Sequence, residues 1–159
     1  MTTEETTAGA PDRRWAALAV AGATVAAAVP WAVASIAGAD LEVTTGGWTM
    51  DVGLPLVLGA ALGMSLAGWG LLILLWRRTG DARRTWTGIA LAVLLLSLGG
   101  PLTADAPAET RVYLTLMHVA VGAVLIPGLW VAAGQGARSA RKTNSRPGRS
   151  GASRTSVTR

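Results

Sequence analysis

The chain has 159 residues, 51% of them apolar and only 14% charged, where a soluble domain carries about 25% charged residues. Fourteen Lys and Arg against nine Asp and Glu give a formal charge of +5, and there is no cysteine, which excludes disulfides, thiolate metal sites and cysteine nucleophiles. The pI near 11.3 does not indicate nucleic acid, because the bases flank apolar stretches, where they act as topology signals and contacts for anionic headgroups.

Four stretches, 15–37, 54–76, 86–102 and 112–133, contain no Asp, Glu, Lys or Arg. A helix rises about 1.5 Å per residue, so about 20 residues cross a hydrocarbon core of about 30 Å. In chain order, residues 1–12 are polar and are expected to form a disordered N-terminal tail. Arg13-Arg14 then precede the first span, 15–37, a pattern shared with signal peptides. The run is long for a signal peptide and Trp31 is bulky so near a cleavage point, so the span is read as retained. Cleavage would leave three spans with the same orientation.

Residues 41–52 (LEVTTGGWTMDV) alternate with period two on either side of Gly46-Gly47, a two-residue hairpin signal. In that register Thr45 faces Trp48, Val43 faces Met50 and Leu41 faces Val52, giving one apolar face expected to lie on the end of the bundle. The other face sets Thr44 against Thr49 and Glu42 against Asp51. Like charges directly opposite on a sheet are unfavourable, so a cation, a nearby arginine, protonation or water has to compensate. Two carboxylates are too few for a closed hard-cation site.

The second span, 54–76, carries Gly59, Gly63 and Ala67 at four-residue intervals, a face expected to pack against another helix. The loop that follows holds Arg77, Arg78, Arg83 and Arg84 against Asp81, so it is expected on the cytoplasmic side. The third span, 86–102, is short and is expected to end at Gly99-Gly100-Pro101. The connection over 38–53, with Asp40, Glu42 and Asp51 and no base, and that over 103–111, with Asp105, Glu109 and Arg111, are expected to face outward. Trp15, Trp76, Trp86 and Trp130 are expected at the inner interface, and Tyr113 at the outer one.

The fourth span, 112–133, contains His118, the only histidine, with Gly122 four residues on as a second packing position. His118 lies about 9 Å below Val112 along the helix axis. The same depth selects Trp31, Gly59 and Ser97 on the other spans, a candidate polar layer. Bonded to Ser97 or to a tryptophan N–H, His118 is structural; otherwise it is a pH-sensing or ligand-contacting group. Pro30 and Pro127 should kink their helices. The tail over 134–159 has seven bases and no acid, and is expected to be disordered, cytoplasmic and close to anionic lipid.

These elements define an all-α membrane protein: a four-helix transmembrane bundle over 13–133, N-in/C-in, with a short β-hairpin in the first outer loop. No span holds a deep ionisable group of the kind pumps and exporters use, and no nucleophile with a base or metal is apparent. Arg83-Arg84-Thr85-Trp86, the run 94–102 (LLLSLGGPL), Leu116-Met117-His118 and Val124-Leu125-Ile126-Pro127-Gly128-Leu129 resemble a family of small actinobacterial membrane proteins catalogued only as a domain of unknown function. The resemblance covers about 13–133 and implies four helices, with no activity or cofactor.

The expectation is therefore a non-catalytic accessory or interaction protein of the cell membrane. Its partners are the bilayer, anionic headgroups at the basic loop and tail, and a protein partner or a second copy; nucleic acid is not among them. An oligomeric channel or carrier with a polar layer near His118 is the alternative. A membrane enzyme with a metal at Glu42, Asp51 or His118 comes third.

Overall fold

A computed structural model describes residues 10–45 and 47–144. The tails expected to be disordered over 1–9 and 145–159, and Gly46 of the turn, lie outside the described residues. Helices α1 (Arg13–Ile36), α2 (Leu54–Arg78), α3 (Ala82–Thr103) and α4 (Ala108–Asn144) are joined, between α1 and α2, by strands β1 (Glu42–Thr45) and β2 (Trp48–Asp51). All four helices are long and apolar enough to cross a membrane.

Local chemistry sets the boundaries. Asp12 caps α1, its Oδ1 accepting from the Arg14 and Trp15 amides. At the far end Gly38, at φ 74°, donates to Ser35 O while Ala39 donates to Ala34 O. That paired exit needs a left-handed residue, which only glycine adopts cheaply. Gly53 and Pro55 open α2, and the proline lacks only an amide that the first turn leaves unpaired anyway. Asp81 caps α3 through the Arg84 amide.

Two boundaries differ from the sequence expectation. Helix α3 does not stop at Gly99-Gly100-Pro101 but runs to Thr103, whose Oγ1 donates to Gly99 O at 2.7 Å. Its 22 residues remove the length shortfall of the third span. Helix α4 continues beyond Ala133 to Asn144, into the segment expected to be a disordered tail.

Each helix packs mainly on its two neighbours in a ring, α1 on α2 and α4, α3 on α2 and α4, with α1 against α4 the most extensive pair. Both termini of the bundle therefore share one end with the turn at Thr79–Asp81, and the hairpin lies at the other. The Asp12 amide donates to Ala132 O at 3.0 Å, tying the start of α1 to α4.

Two apolar clusters fill the interior. One, at the termini end, holds Ala16, Ala19, Leu72, Trp86, Leu129 and Ala132; the other, at the hairpin end, holds Ala27, Ala34, Leu41, Val57, Ala61 and Met117. The α1–α4 contact is close because its residues are small. A Cβ added to Gly128 would lie 2.6 Å from the Ala19 Cβ, and one added to Gly22 would lie 3.3 Å from Val124 Cγ1. Such approach replaces the bulk of large side chains with backbone-to-backbone dispersion contact.

The small-residue face expected on α2 is turned outward instead. Gly59, Gly63 and Ala67 are exposed, and no heavy atom stands within 4 Å of an ideal Cβ at either glycine. The inward face of α2 is Val57, Ala61, Ser65 and Leu72. Gly122 does face a neighbour: a Cβ there would meet Leu94 Cδ2 at 2.7 Å. Trp86, expected at an interface, is 1% exposed in the core, and its Nε1 donates to Gly68 O of α2 at 2.8 Å.

Candidate functional site

The hairpin forms with the register set by its Gly-Gly turn: Glu42 opposite Asp51, Val43 opposite Met50, Thr44 opposite Thr49 and Thr45 opposite Trp48. Gly47 holds φ 83°, the left-handed region that such a turn requires. The Thr44 and Thr49 hydroxyls bond each other at 2.9 Å. The ladder extends one step further, with the Val52 amide donating to Leu41 O at 2.7 Å.

An isolated two-stranded ribbon is marginal, so its attachments decide its position. Four contacts carry it. Trp31 Nε1 of α1 donates to Val52 O at 2.9 Å, and the Thr44 amide donates to Asp105 O at 3.1 Å, pairing β1 with the α3–α4 connection. Thr110 Oγ1 donates to Asp40 O at 3.1 Å from a side chain only 1% exposed. Leu41 is buried against the hairpin-end cluster, with Val52 and Ala39 packed beside it.

The apolar face is thus docked at its base and free at its tip. Trp48 is 83% exposed and Met50 is also exposed, so the face does not lie on the bundle end along its whole length as the alternation suggested. The attachments all gather at residues 40, 41, 44 and 52, and the strands lever away from the bundle beyond them.

Beside the base, Asp40, Glu42 and Asp51 line a shallow cleft of about 180 Å³ with Trp31, Ser35 and Val52. Its carboxylates are exposed, and Arg111, the only base in either connection, directs its Nε to Ala106 O at 2.9 Å. Among the described residues no three His, Asp or Glu side chains gather closely enough to hold a metal ion. Chemically the cleft offers a negative, partly aromatic rim to solvent or to a cationic group.

The expected polar layer is not joined by hydrogen bonds. His118 Nδ1 donates to Leu114 O at 2.7 Å, which leaves Nε2 as the ring's other polar atom, and Ser97 Oγ donates to Leu94 O at 2.7 Å. Each therefore satisfies itself on its own helix. Trp31 is committed to the hairpin, and Gly59 faces outward. Neither Ser97 nor a tryptophan supplies the partner the sequence suggested for His118. Thr110 and Asp105, which fasten the hairpin, carry no sequence signal: a threonine in a helix's first turn and a backbone carbonyl in a loop look alike whether or not they bond.

The model of a family of unknown function, DUF6069, matches residues 7–135, and the chain belongs to that family. No curated protein and no solved structure matches the chain.

Proposed function

We propose that the chain, a member of a family of unknown function, is a non-catalytic, multi-pass protein of the plasma membrane that engages a protein partner through its hairpin end. The observation supporting the membrane reading is an inverted size distribution. Ala16, Ala19, Ala23, Ala27, Ala34 and Ala61 are buried, while Leu18, Val25, Ile36, Leu95 and Leu96 are exposed on the helix exteriors. A helix bundle in water gains its stability by burying the large side chains; a bundle in hydrocarbon need not, and packs through small ones instead.

Orientation follows from charge. Arg13, Arg14, Arg77, Arg78, Arg83 and Arg84 lie at the termini end, and Asp40, Glu42, Asp51, Asp105 and Glu109 at the other. The excess of arginine keeps the termini end cytoplasmic and puts the hairpin outside. There Trp48 and Met50 present a small apolar tip beside three carboxylates, held by a rigid base. Aromatic and methionine side chains in such settings are common anchors at interfaces. The test is affinity purification in mild detergent of the wild type and of a Trp48→Ala, Met50→Ser double variant. A protein retained by the wild type and lost from the variant is expected; equal retention would reject the hairpin as the contact.

A second reading, an oligomeric channel or carrier, draws on the outward small face of Gly59, Gly63 and Ala67, which can admit another helix. Flux into proteoliposomes that His118→Ala abolishes would favour it. Undetectable flux across ions and amphiphiles would remove it.

A further inference from the structure

We propose that Arg83, placed over the Trp130 indole at the termini end, binds a phosphate oxyanion of the kind an anionic phospholipid headgroup supplies. The inference rests on the membrane reading above and concerns the opposite end of the molecule from the hairpin.

Arg83 stands in the first turn of α3, and its guanidinium carbon lies 3.8 Å from the centroid of the Trp130 ring on α4. The lack of a side chain at Gly134 makes room for it. A Cβ there would stand 3.3 Å from Nη2 and 3.4 Å from both Cζ and Nη1. The guanidinium is therefore held between α3 and α4 by an aromatic face and a glycine notch, and Arg83 is only partly exposed.

Among the described residues its charge is not fully answered. Nε is sealed from solvent and has no hydrogen-bond partner. The indole face offsets only part of the cost of an unpartnered, sealed N–H. Among the described residues, the two carboxylates at this end each direct Oδ1 to a helix cap, Asp12 to the Arg14 and Trp15 amides and Asp81 to the Arg84 amide. Around the site stand the exposed bases Arg13, Arg14, Arg77, Arg78 and Arg84, all adding positive potential.

The indole takes up a face of the guanidinium and, with Nε sealed, the donors left for a ligand lie along the Nη1–Nη2 edge. That edge matches two oxygens of a phosphate, a pairing that a lysine point charge does not reproduce. A cytoplasmic helix end also sits at the depth of anionic headgroups. Arg83 thus differs from its exposed neighbours in being pre-oriented, and the orientation is what selects a phosphate over diffuse charge.

Detergent-purified wild type, Arg83→Gln, Arg84→Gln and Trp130→Ala are compared by native mass spectrometry with phosphatidylglycerol, phosphatidylcholine and inorganic phosphate. Wild type is expected to retain phosphatidylglycerol over phosphatidylcholine, with retention falling about fivefold or more in Arg83→Gln and less than about twofold in Arg84→Gln. Inorganic phosphate bound in an Arg83-dependent way without lipid preference would support the phosphate chemistry with a free anion as its source. Equal retention in Arg83→Gln and wild type, or equal losses in Arg83→Gln and Arg84→Gln, would overturn the proposal. If Arg83→Gln is not recovered folded, Trp130→Ala decides: weakened retention supports the site and unchanged retention rejects it. Carbonate extraction of cell membranes tests the membrane reading separately, since a chain that resists extraction while ignoring phosphatidylglycerol would reject this site alone.

Discussion

Trp31 of α1 donates its indole Nε1 to the carbonyl of Val52 at 2.9 Å, so the first helix grips the chain where it leaves the hairpin. The bond crosses 21 residues and fixes the strands' exit without using either strand's own ladder. Trp31→Phe keeps an aromatic ring, smaller than the indole, and removes the donor. We expect a loss of about 1 kcal/mol, read as faster amide exchange at Thr44 and Val52 with α2 and α3 unchanged. Uniform protection in the variant would show that the hairpin is held without Trp31, by Thr110, Asp105 and the buried Leu41.

Gly128 and Gly59 should respond oppositely to the same change. Gly128→Ala places a methyl 2.6 Å from the Ala19 Cβ, so α1 and α4 have to separate. The expected cost is about 1–3 kcal/mol, as for overpacked cores. Gly59→Ala meets nothing within 4 Å and should leave stability within about 1 kcal/mol of wild type. Thermal unfolding in detergent, followed by circular dichroism, measures both.

Ser65 is fully buried on α2, and its Oγ has no hydrogen-bond partner. Removing an unsatisfied hydroxyl removes its desolvation cost, so Ser65→Ala should raise stability by about 1 kcal/mol. Trp86→Phe should do the reverse, since it withdraws the donor from Gly68 O, and the loss should be about 1–3 kcal/mol. A destabilised Ser65→Ala would indicate that the hydroxyl bonds a group such as water.

The cysteine-free chain suits labelling. Thr49→Cys, exposed on the hairpin, should react with an impermeant maleimide on intact cells; Thr79→Cys, exposed in the turn between α2 and α3, should react only after permeabilisation. The opposite pattern would invert the topology argued from charge.

The number of helices and the hairpin with its register were legible in the residues. Charge-free runs and period-two alternation about Gly46-Gly47 are local signals, and the backbone must follow them because each residue settles its own hydrogen bonds with near neighbours. Which face of each helix points inward was not legible. In a wholly apolar helix no polar side marks the exterior, so the spacing of Gly59, Gly63 and Ala67 on α2 pointed to packing that α2 does not make there, while the alanines of α1 gave no such signal. The choice fell to α1 because its Ala19 meets Gly128, 109 positions further along the chain, a fit between two surfaces that neither encodes alone.

The same division holds at both ends of the molecule. The order of residues alone set Glu42 opposite Asp51 and collected the arginines beside the spans. Only the tertiary structure raised Trp48 clear of the bundle, satisfied His118 on its own helix and sank Trp86 into the core. It also singled out Arg83 from its identical neighbours, by bringing Trp130 and Gly134 of another helix against it. Local chemistry determines where chains turn and which residues can bond; the packing of distant segments decides which of those bonds and contacts are made.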